Sequence, residues 1–171
     1  MKGFTIFFAM LVGGLALSIG LAIYDLTVRE LDLSGTATQS QYAIYAADTG
    51  AECALYWDLK CSLLECTKGA AGSAFATSSQ SAMPQSGIIC NDVDVTVAAR
   101  AAGTWPSATG LTSATTTFSV TFLPQLYCAS VTIAKSGIPT KTVITSKGYN
   151  TACPPTAVGS TRLERVLQVS Y

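Results

Sequence analysis

An uncharged apolar run near the N-terminus constrains this chain more than any other feature. From Phe4 to Tyr24 the sequence has no charged residue. The run is about 21 residues long, or about 32 Å as an α-helix, and this length matches the hydrocarbon core of a bilayer. Charged residues return at Asp25 and Arg29 on a segment that keeps a helical pattern. The run therefore predicts a membrane anchor that holds the rest of the chain outside the membrane.

A secretory signal peptide is the first alternative for this run. Signal peptides have a shorter apolar core followed by a small-residue cleavage site. Here the core is longer and no Ala-x-Ala site precedes the charged residues, so an anchor fits better. Lys2 lies before the run and Asp25 follows it, so the positive-inside rule favours a cytoplasmic N-terminus and an external C-terminus.

Every cysteine follows the predicted anchor. An even count outside the membrane argues for an oxidising compartment and as many as three disulfides, while zinc is disfavoured because there is no Cys-x-x-Cys pair and no histidine. Six cysteines allow fifteen pairings, among which sequence alone does not choose. The pairings that we favour are Cys128–Cys153, Cys53–Cys90 and Cys61–Cys66.

The charged residues exclude several classes of function. They form 12% of the chain, sum to zero formal charge and show no basic cluster, so no nucleic-acid partner is evident. The absence of histidine removes the commonest general base and metal ligand, and no carboxylate pair or Ser-Lys spacing replaces it. We therefore predict a protein that is not an enzyme and that holds no metal or cofactor.

The helical pattern continues from Asp25 to about Lys60. Two stripes at helical spacing can face the rest of the protein or a neighbour. They consist of Ile44, Ala47, Ala51 and Ala54, and of Tyr42, Tyr45, Thr49, Cys53 and Tyr56. A helix from Phe4 to Lys60 would be about 85 Å long, which is unusual for a globular domain alone.

Strand patterns dominate the C-terminal half. Alternation predicts strands at 93–97, 117–122, 129–133 and 141–145, and a last strand within 162–171. In the last strand Leu163, Leu167 and Val169 point inward, with Arg165 as an exception at the rim. Turns or loops are predicted at 135–137 and 148–159. Together these patterns predict an α+β protein in which a long helix packs on a mostly antiparallel sheet of about five strands.

The junction Lys2-Gly3-Phe4 resembles the prepilin peptidase site of type IV pilins and pseudopilins. In that family a short basic leader ends in glycine, and the mature chain begins with phenylalanine and an apolar helix. The resemblance implies cleavage between Gly3 and Phe4 and N-methylation of Phe4. Phe8 stands where the family has glutamate, as is frequent in PilX-type minor pilins and tip pseudopilins. Residues 41–57 are also similar to the outer helix of PilX-type proteins.

This resemblance implies a type IV pilin-like architecture. Residues 1–3 would be the leader and 4–60 the long helix, with 4–24 in the membrane or filament core and 25–60 as its outer half; 61–171 would be a β-rich head. Helix packing in a filament core would involve Phe7, Phe8, Leu11, Gly13, Gly14, Leu17 and Gly20. The charges that could pair between subunits are Asp25, Arg29 and Glu30, although a solvated helix face also accounts for them.

The implied function is that of a structural subunit of a type IV pilus or pilus-like filament, serving adhesion, motility or DNA uptake. The partners would be other pilin subunits, a prepilin peptidase, an assembly platform with its ATPase, and the inner membrane before assembly. Two alternatives stay open. They are a pseudopilin of a secretion or competence system, and a membrane-anchored extracellular binding domain that does not polymerise. The sequence does not separate a major from a minor subunit.

Overall fold

The chain divides into two compact units, Met1–Thr38 and Gln39–Tyr171, which we describe separately. A computed structural model describes residues 2–60, 73–75, 87–101, 113–124, 126–137, 140–153 and 162–171. The predicted Cys61–Cys66 pair lies outside these residues.

One helix, α1 (Lys2–Lys60), accounts for the first unit and begins the second. It covers the whole helix predicted from the sequence. Residues 2–60 contain no proline, so every residue after the first turn can donate its backbone N–H within the helix. In the first unit α1 is apolar over a length sufficient to cross a membrane, and none of residues 4–38 is buried.

The second unit contains a four-stranded antiparallel sheet among its described residues. Its strand order is β3-β4-β5-β6, so each strand pairs with the next one along the chain. The elements that follow α1 are β1 (Ile89–Cys90), β2 (Val93–Asp94), α2 (Val95–Ala101), β3 (Ser113–Phe122), β4 (Tyr127–Ser136), β5 (Lys141–Tyr149) and β6 (Glu164–Ser170). A long helix with an antiparallel sheet is the predicted α+β layout.

One face of this sheet forms most of the core, as the alternation in the sequence predicts. Phe118, Val120 and Phe122 of β3 are buried together with neighbours on β4 and β5. The Phe118 ring stacks on that of Phe75, with 6.1 Å between centroids. The residues that alternate with them along β3, which are Thr117, Ser119 and Thr121, are exposed or half-buried. Leu167 and Val169 of β6 are half-buried, as is Leu163, which immediately precedes the strand.

The predicted strand at 93–97 is wrong beyond Asp94. Residues 93–94 pair with β1 across a tight turn in which Asn91 and Asp92 have positive φ, and α2 begins at Val95. The alternating valines read as a strand, but Asp94 caps the helix instead. Its Oδ1 accepts hydrogen bonds from the Thr96 backbone amide (3.0 Å) and hydroxyl, and its Oδ2 accepts one from the Gly87 amide (2.8 Å).

Two predicted turns also belong to strands. Lys135 and Ser136 continue β4, and the turn begins at Gly137, whose φ of 85° suits glycine. At the other end of the hairpin, Gly148 and Tyr149 continue β5 and pair with β6. Glycine and polar residues at these positions suggested loops, but pairing with neighbouring strands extends the sheet through them.

The Asp94 cap gives the first prediction. Partial burial would raise the pKa of Asp94, but hydrogen bonds from the Thr96 hydroxyl and from backbone amides outweigh it and lower the pKa below 3.8. The ionised carboxylate therefore stabilises the fold above the unfolded pKa, and this contribution is lost as the pH falls through the folded pKa. We expect Asp94→Ala to lower the free energy of unfolding by about 1 kcal/mol at neutral pH.

The test is denaturant unfolding of both proteins from about pH 7 down to about pH 2. The difference in the free energy of unfolding between wild type and Asp94→Ala should become smaller in acid. Asp94→Asn is the matched control because asparagine caps helices without titrating. A difference that is constant with pH would contradict the role of the ionised carboxylate.

Candidate assembly surface and the head that carries it

The N-terminal unit presents an apolar surface with nothing packed on it. Phe4, Phe8 and Leu17 expose 75%, 60% and 68% of their surface. All the residues predicted to pack in a filament core are exposed in the same way; they are Phe7, Phe8, Leu11, Gly13, Gly14, Leu17 and Gly20. Apolar residues occupy every side of this helix, which is typical of a helix that lies in lipid or among other helices.

Two hydroxyl groups on this surface are satisfied by the helix itself. Ser18 Oγ donates to the carbonyl of Leu15 (2.9 Å), and Thr27 Oγ1 donates to that of Ile23 (2.8 Å). Such bonds leave these donors paired without water, so these two residues are compatible with a lipid or protein surround.

The charges that follow the apolar run lie on exposed helix. Arg29 Nη2 and Asp25 Oδ2 are 3.2 Å apart, one helical turn from each other, with side chains 75% and 67% exposed. An exposed pair of this kind contributes little to stability. Glu30 is exposed as well. The structure thus pairs two of the three predicted inter-subunit charges within one chain.

In the second unit, the helix residues that face the sheet are nearly all alanine or glycine. The buried ones are Ala43, Ala46, Ala47, Gly50, Ala51 and Ala54, with Asp58 at the end of the helix. Ile44 was predicted to share the stripe of Ala47, Ala51 and Ala54, but it is 43% exposed, so that part of the stripe is wrong. The helix is turned so that its smallest side chains meet the sheet, which lets the two backbones come close.

Two glycines, Gly148 and Gly50, lie where α1 and the sheet come closest to each other. A Cβ on Gly148 of β5 would lie 1.9 Å from the Ala43 carbonyl oxygen and 2.5 Å from the Ala47 nitrogen, both of them helix backbone atoms. A Cβ on Gly50 of α1 would lie 2.7 Å from Ser146 Oγ and 2.9 Å from side-chain carbons of the sheet. Neither position has room for a side chain.

Disulfides hold the head at two places. Cys53 of α1 is bonded to Cys90 of β1, and Cys128 of β4 to Cys153. These are two of the three pairings that we favoured from the sequence. Beside the first, Trp57 Nε1 donates a hydrogen bond to the Ile89 carbonyl (3.0 Å), so the indole and the disulfide attach the same short hairpin to the helix.

Polar side chains attach the β6 edge of the four-stranded sheet to the first helical turns of this unit. Arg165, the predicted rim exception in β6, donates from Nε and Nη2 to Ser40 Oγ at 2.9 and 2.7 Å. Asn150 Nδ2 donates to Gln39 Oε1 (2.8 Å), while Asn150 Oδ1 accepts from the Leu163 amide. The four-stranded sheet is therefore fastened to the helix where the second unit begins, and the separate β1–β2 hairpin is fastened further along it.

A buried polar cluster lies where α1 ends, and sequence reasoning missed it. Lys135 Nζ and Asp58 Oδ1 are 2.5 Å apart, and their side chains are 5% and 1% exposed. Ser73 Oγ donates to Asp58 Oδ1 and accepts from Lys135 Nζ (3.0 Å), and Tyr171 OH donates to Asp58 Oδ2 (2.5 Å). The only sequence signal was a lysine in an alternating strand, which we read as the start of a turn.

The cluster changes the acidity of one of its members. Burial, and then the hydrogen bond and negative charge of Asp58, raise the pKa of Tyr171 well above its ordinary value. Its hydroxyl therefore keeps its proton and remains a hydrogen-bond donor to Asp58 throughout the physiological range.

Comparison with known proteins gives no relative: no family model, no curated protein and no solved structure matches the chain. Within the described part of the chain there is also no group of three or more metal-ligating side chains. The candidate site is the surface of α1 in the first unit, because its large apolar side chains are exposed.

Proposed function

We propose that the chain is a structural subunit of a type IV pilus or pilus-like filament. The observation that carries this proposal is the division of α1 into two parts. Residues 4–24 are uncharged and apolar, none of residues 4–38 is buried, and residues from Ala43 onward pack under an antiparallel sheet. A helix that exposes this much apolar surface needs a lipid or protein surround.

Before assembly the apolar helix would span the inner membrane, with Lys2 on the cytoplasmic side and the disulfide-bonded head outside. On assembly it would exchange lipid for the helices of other subunits. Close contact is favoured where residues are small, and nothing lies within 4 Å of a Cβ built on Gly13, Gly14 or Gly20, so partner helices can approach there. Prepilin peptidase, an assembly platform and an ATPase would be the cellular partners.

The head is suited to remain attached while the helix is extracted. The head contacts the helix through small residues, through the disulfide of the β1–β2 hairpin, and through the hydrogen bonds of Arg165 and Asn150. A filament subunit must transmit force between helix and head without the two separating. Adhesive or partner contacts would be made by the head.

The test is N-terminal sequencing and mass spectrometry of the protein sheared from cells that produce it. We expect a chain that begins at N-methylated Phe4, recovered in a sedimentable polymer. A Gly3→Val variant is the control: it should keep Met1 and stay in the membrane fraction, because the resemblance makes Gly3 the last leader residue.

Two outcomes would contradict the proposal. A wild-type chain that retains Met1 would leave a membrane-anchored extracellular binding domain that does not polymerise. A chain cut after residue 24 would be a secreted domain. Correct processing with only short, cell-attached polymers would instead favour the pseudopilin of a secretion or competence system.

A further inference from the structure

Asp58 and Lys135 form a buried ion pair. Their nearest atoms are 2.5 Å apart, and almost no water reaches either side chain. Asp58 lies in the last turn of α1, where the helix dipole disfavours a negative charge, and Lys135 is a buried residue near the end of β4. Burying two opposite charges in this way is costly, and a neutral product would remove that cost.

We propose that Lys135 and Asp58 condense into an intramolecular isopeptide bond, which joins the end of α1 covalently to β4. The proposal does not depend on filament assembly.

The reaction needs no co-reactant. Lys135 Nζ passes one proton to Asp58 Oδ1, which leaves a neutral amine beside a carboxylic acid. The Nζ lone pair attacks Cγ, a C–N bond forms, and the carbonyl electrons move onto Oδ2. The C–Oδ1 bond then breaks and Oδ1 leaves as water, taking a second proton from Nζ. Oδ2 regains its double bond, and the ammonium and carboxylate have become one amide and one water.

The neighbouring hydroxyl groups lie where these reaction steps require them. Tyr171 OH donates to Oδ2, the oxygen on which negative charge develops, so it acts in the manner of an oxyanion hole. Ser73 Oγ bonds both to Oδ1 and to Nζ, so it can relay the second proton from the amine to the departing oxygen. Tyr171 is 46% exposed, which gives the released water a path to solvent.

Condensation of an amine with an acid is unfavourable in dilute water. The fold favours the forward condensation and disfavours the reverse hydrolysis. Fixed neighbours react as if at effective concentrations of about 10⁵–10⁸ M. A dry site also disfavours the reverse hydrolysis. The pair of Lys147 and Glu164 supplies a contrast, because it has a 3.6 Å separation and side chains 48% and 40% exposed. We expect no bond there.

The experiment is peptide mapping of the full-length protein after reduction, alkylation and trypsin digestion. An isopeptide bond at Lys135 blocks cleavage after that residue. It should yield a branched species that joins residues 30–60 to residues 101–141, lighter by one water than the sum of its parts. Free peptides from the same digest, 142–147 and 163–165, serve as the internal control for the exposed pair.

Variants locate the bond and test its mechanism. Lys135→Arg keeps the positive charge but should abolish the branched species. Asp58→Asn should still react, releasing ammonia instead of water, so its branched species should have the same mass as that of the wild type. Tyr171→Phe should slow bond formation at least tenfold in freshly folded protein, since it removes a hydrogen bond to the developing charge.

Two results would overturn the proposal. One is full cleavage after Lys135 in wild-type protein, with an unmodified 30–60 peptide. The other is a loss of water confined to the 30–60 peptide while cleavage after Lys135 remains complete, which would indicate a cyclic imide at Asp58. Neither result depends on whether a variant folds, because both are read from the wild-type chain.

Discussion

Gly148→Ala is expected to destabilise the head by about 3 kcal/mol or more, one of the two largest effects that we predict for a small change. The new methyl group would lie 1.9 Å from the Ala43 carbonyl oxygen and 2.5 Å from the Ala47 nitrogen. These are backbone atoms of a helix, so no side chain can rotate away. Helix and sheet would have to separate, and the alanine contacts around this point would be lost with them.

The measurement is urea unfolding of the detergent-solubilised chain, followed by the fluorescence of its two tryptophans, Trp57 and Trp105. Gly35→Ala is the matched control, because nothing lies within 4 Å of a Cβ built there. That variant should be neutral or slightly stabilising, since alanine favours helix over glycine by up to about 1 kcal/mol. Equal midpoints for Gly148→Ala and wild type would show that the helix and sheet do not approach so closely.

Removal of the Cys53–Cys90 disulfide should have an effect of similar size. The two cysteines are 37 residues apart, and opening a loop of that length costs about 4 kcal/mol by the chain-entropy estimate. The double variant Cys53→Ser/Cys90→Ser should therefore unfold at a much lower urea concentration. The hairpin that carries Ile89 would then be held to the helix chiefly by Trp57.

The second disulfide provides the comparison. Cys128 and Cys153 are 25 residues apart, so their removal should cost about 3.5 kcal/mol, slightly less than the first. The difference in the free energy of unfolding is measured by urea unfolding, without reductant, of the wild type and of the two double variants, Cys53→Ser/Cys90→Ser and Cys128→Ser/Cys153→Ser. If loss of the Cys53–Cys90 bond left the unfolding midpoint unchanged, the helix would be held by the small-residue contact alone.

Much of the architecture could be predicted from local patterns. The apolar run and its helical continuation predicted α1, and the alternation of Phe118, Val120 and Phe122 predicted the buried face of β3. These predictions succeed because helix and strand periodicity are properties of neighbouring residues. Asp94 shows the limit of the method, because one capping side chain turned an alternating valine segment into a helix.

The residues that hold the head together could not be predicted in this way. Gly148 was assigned to a loop, and Lys135 to a turn, yet both lie in paired strands and contact α1. Their importance arises from residues far away in sequence, Ala43 for one and Asp58 for the other. No local pattern records such a pairing.

The sequence by itself determined that this chain has a long apolar helix, a sheet with one buried face and cysteines placed for an oxidising environment. The tertiary structure decided which side of the helix meets the sheet, how close the backbones come, and which buried acid meets which buried lysine. The physical reason is that these interactions act between residues at different separations along the chain. Hydrophobicity and backbone propensity act between residues close in the chain, whereas steric fit and the pairing of buried charges depend on which distant segments fold against each other.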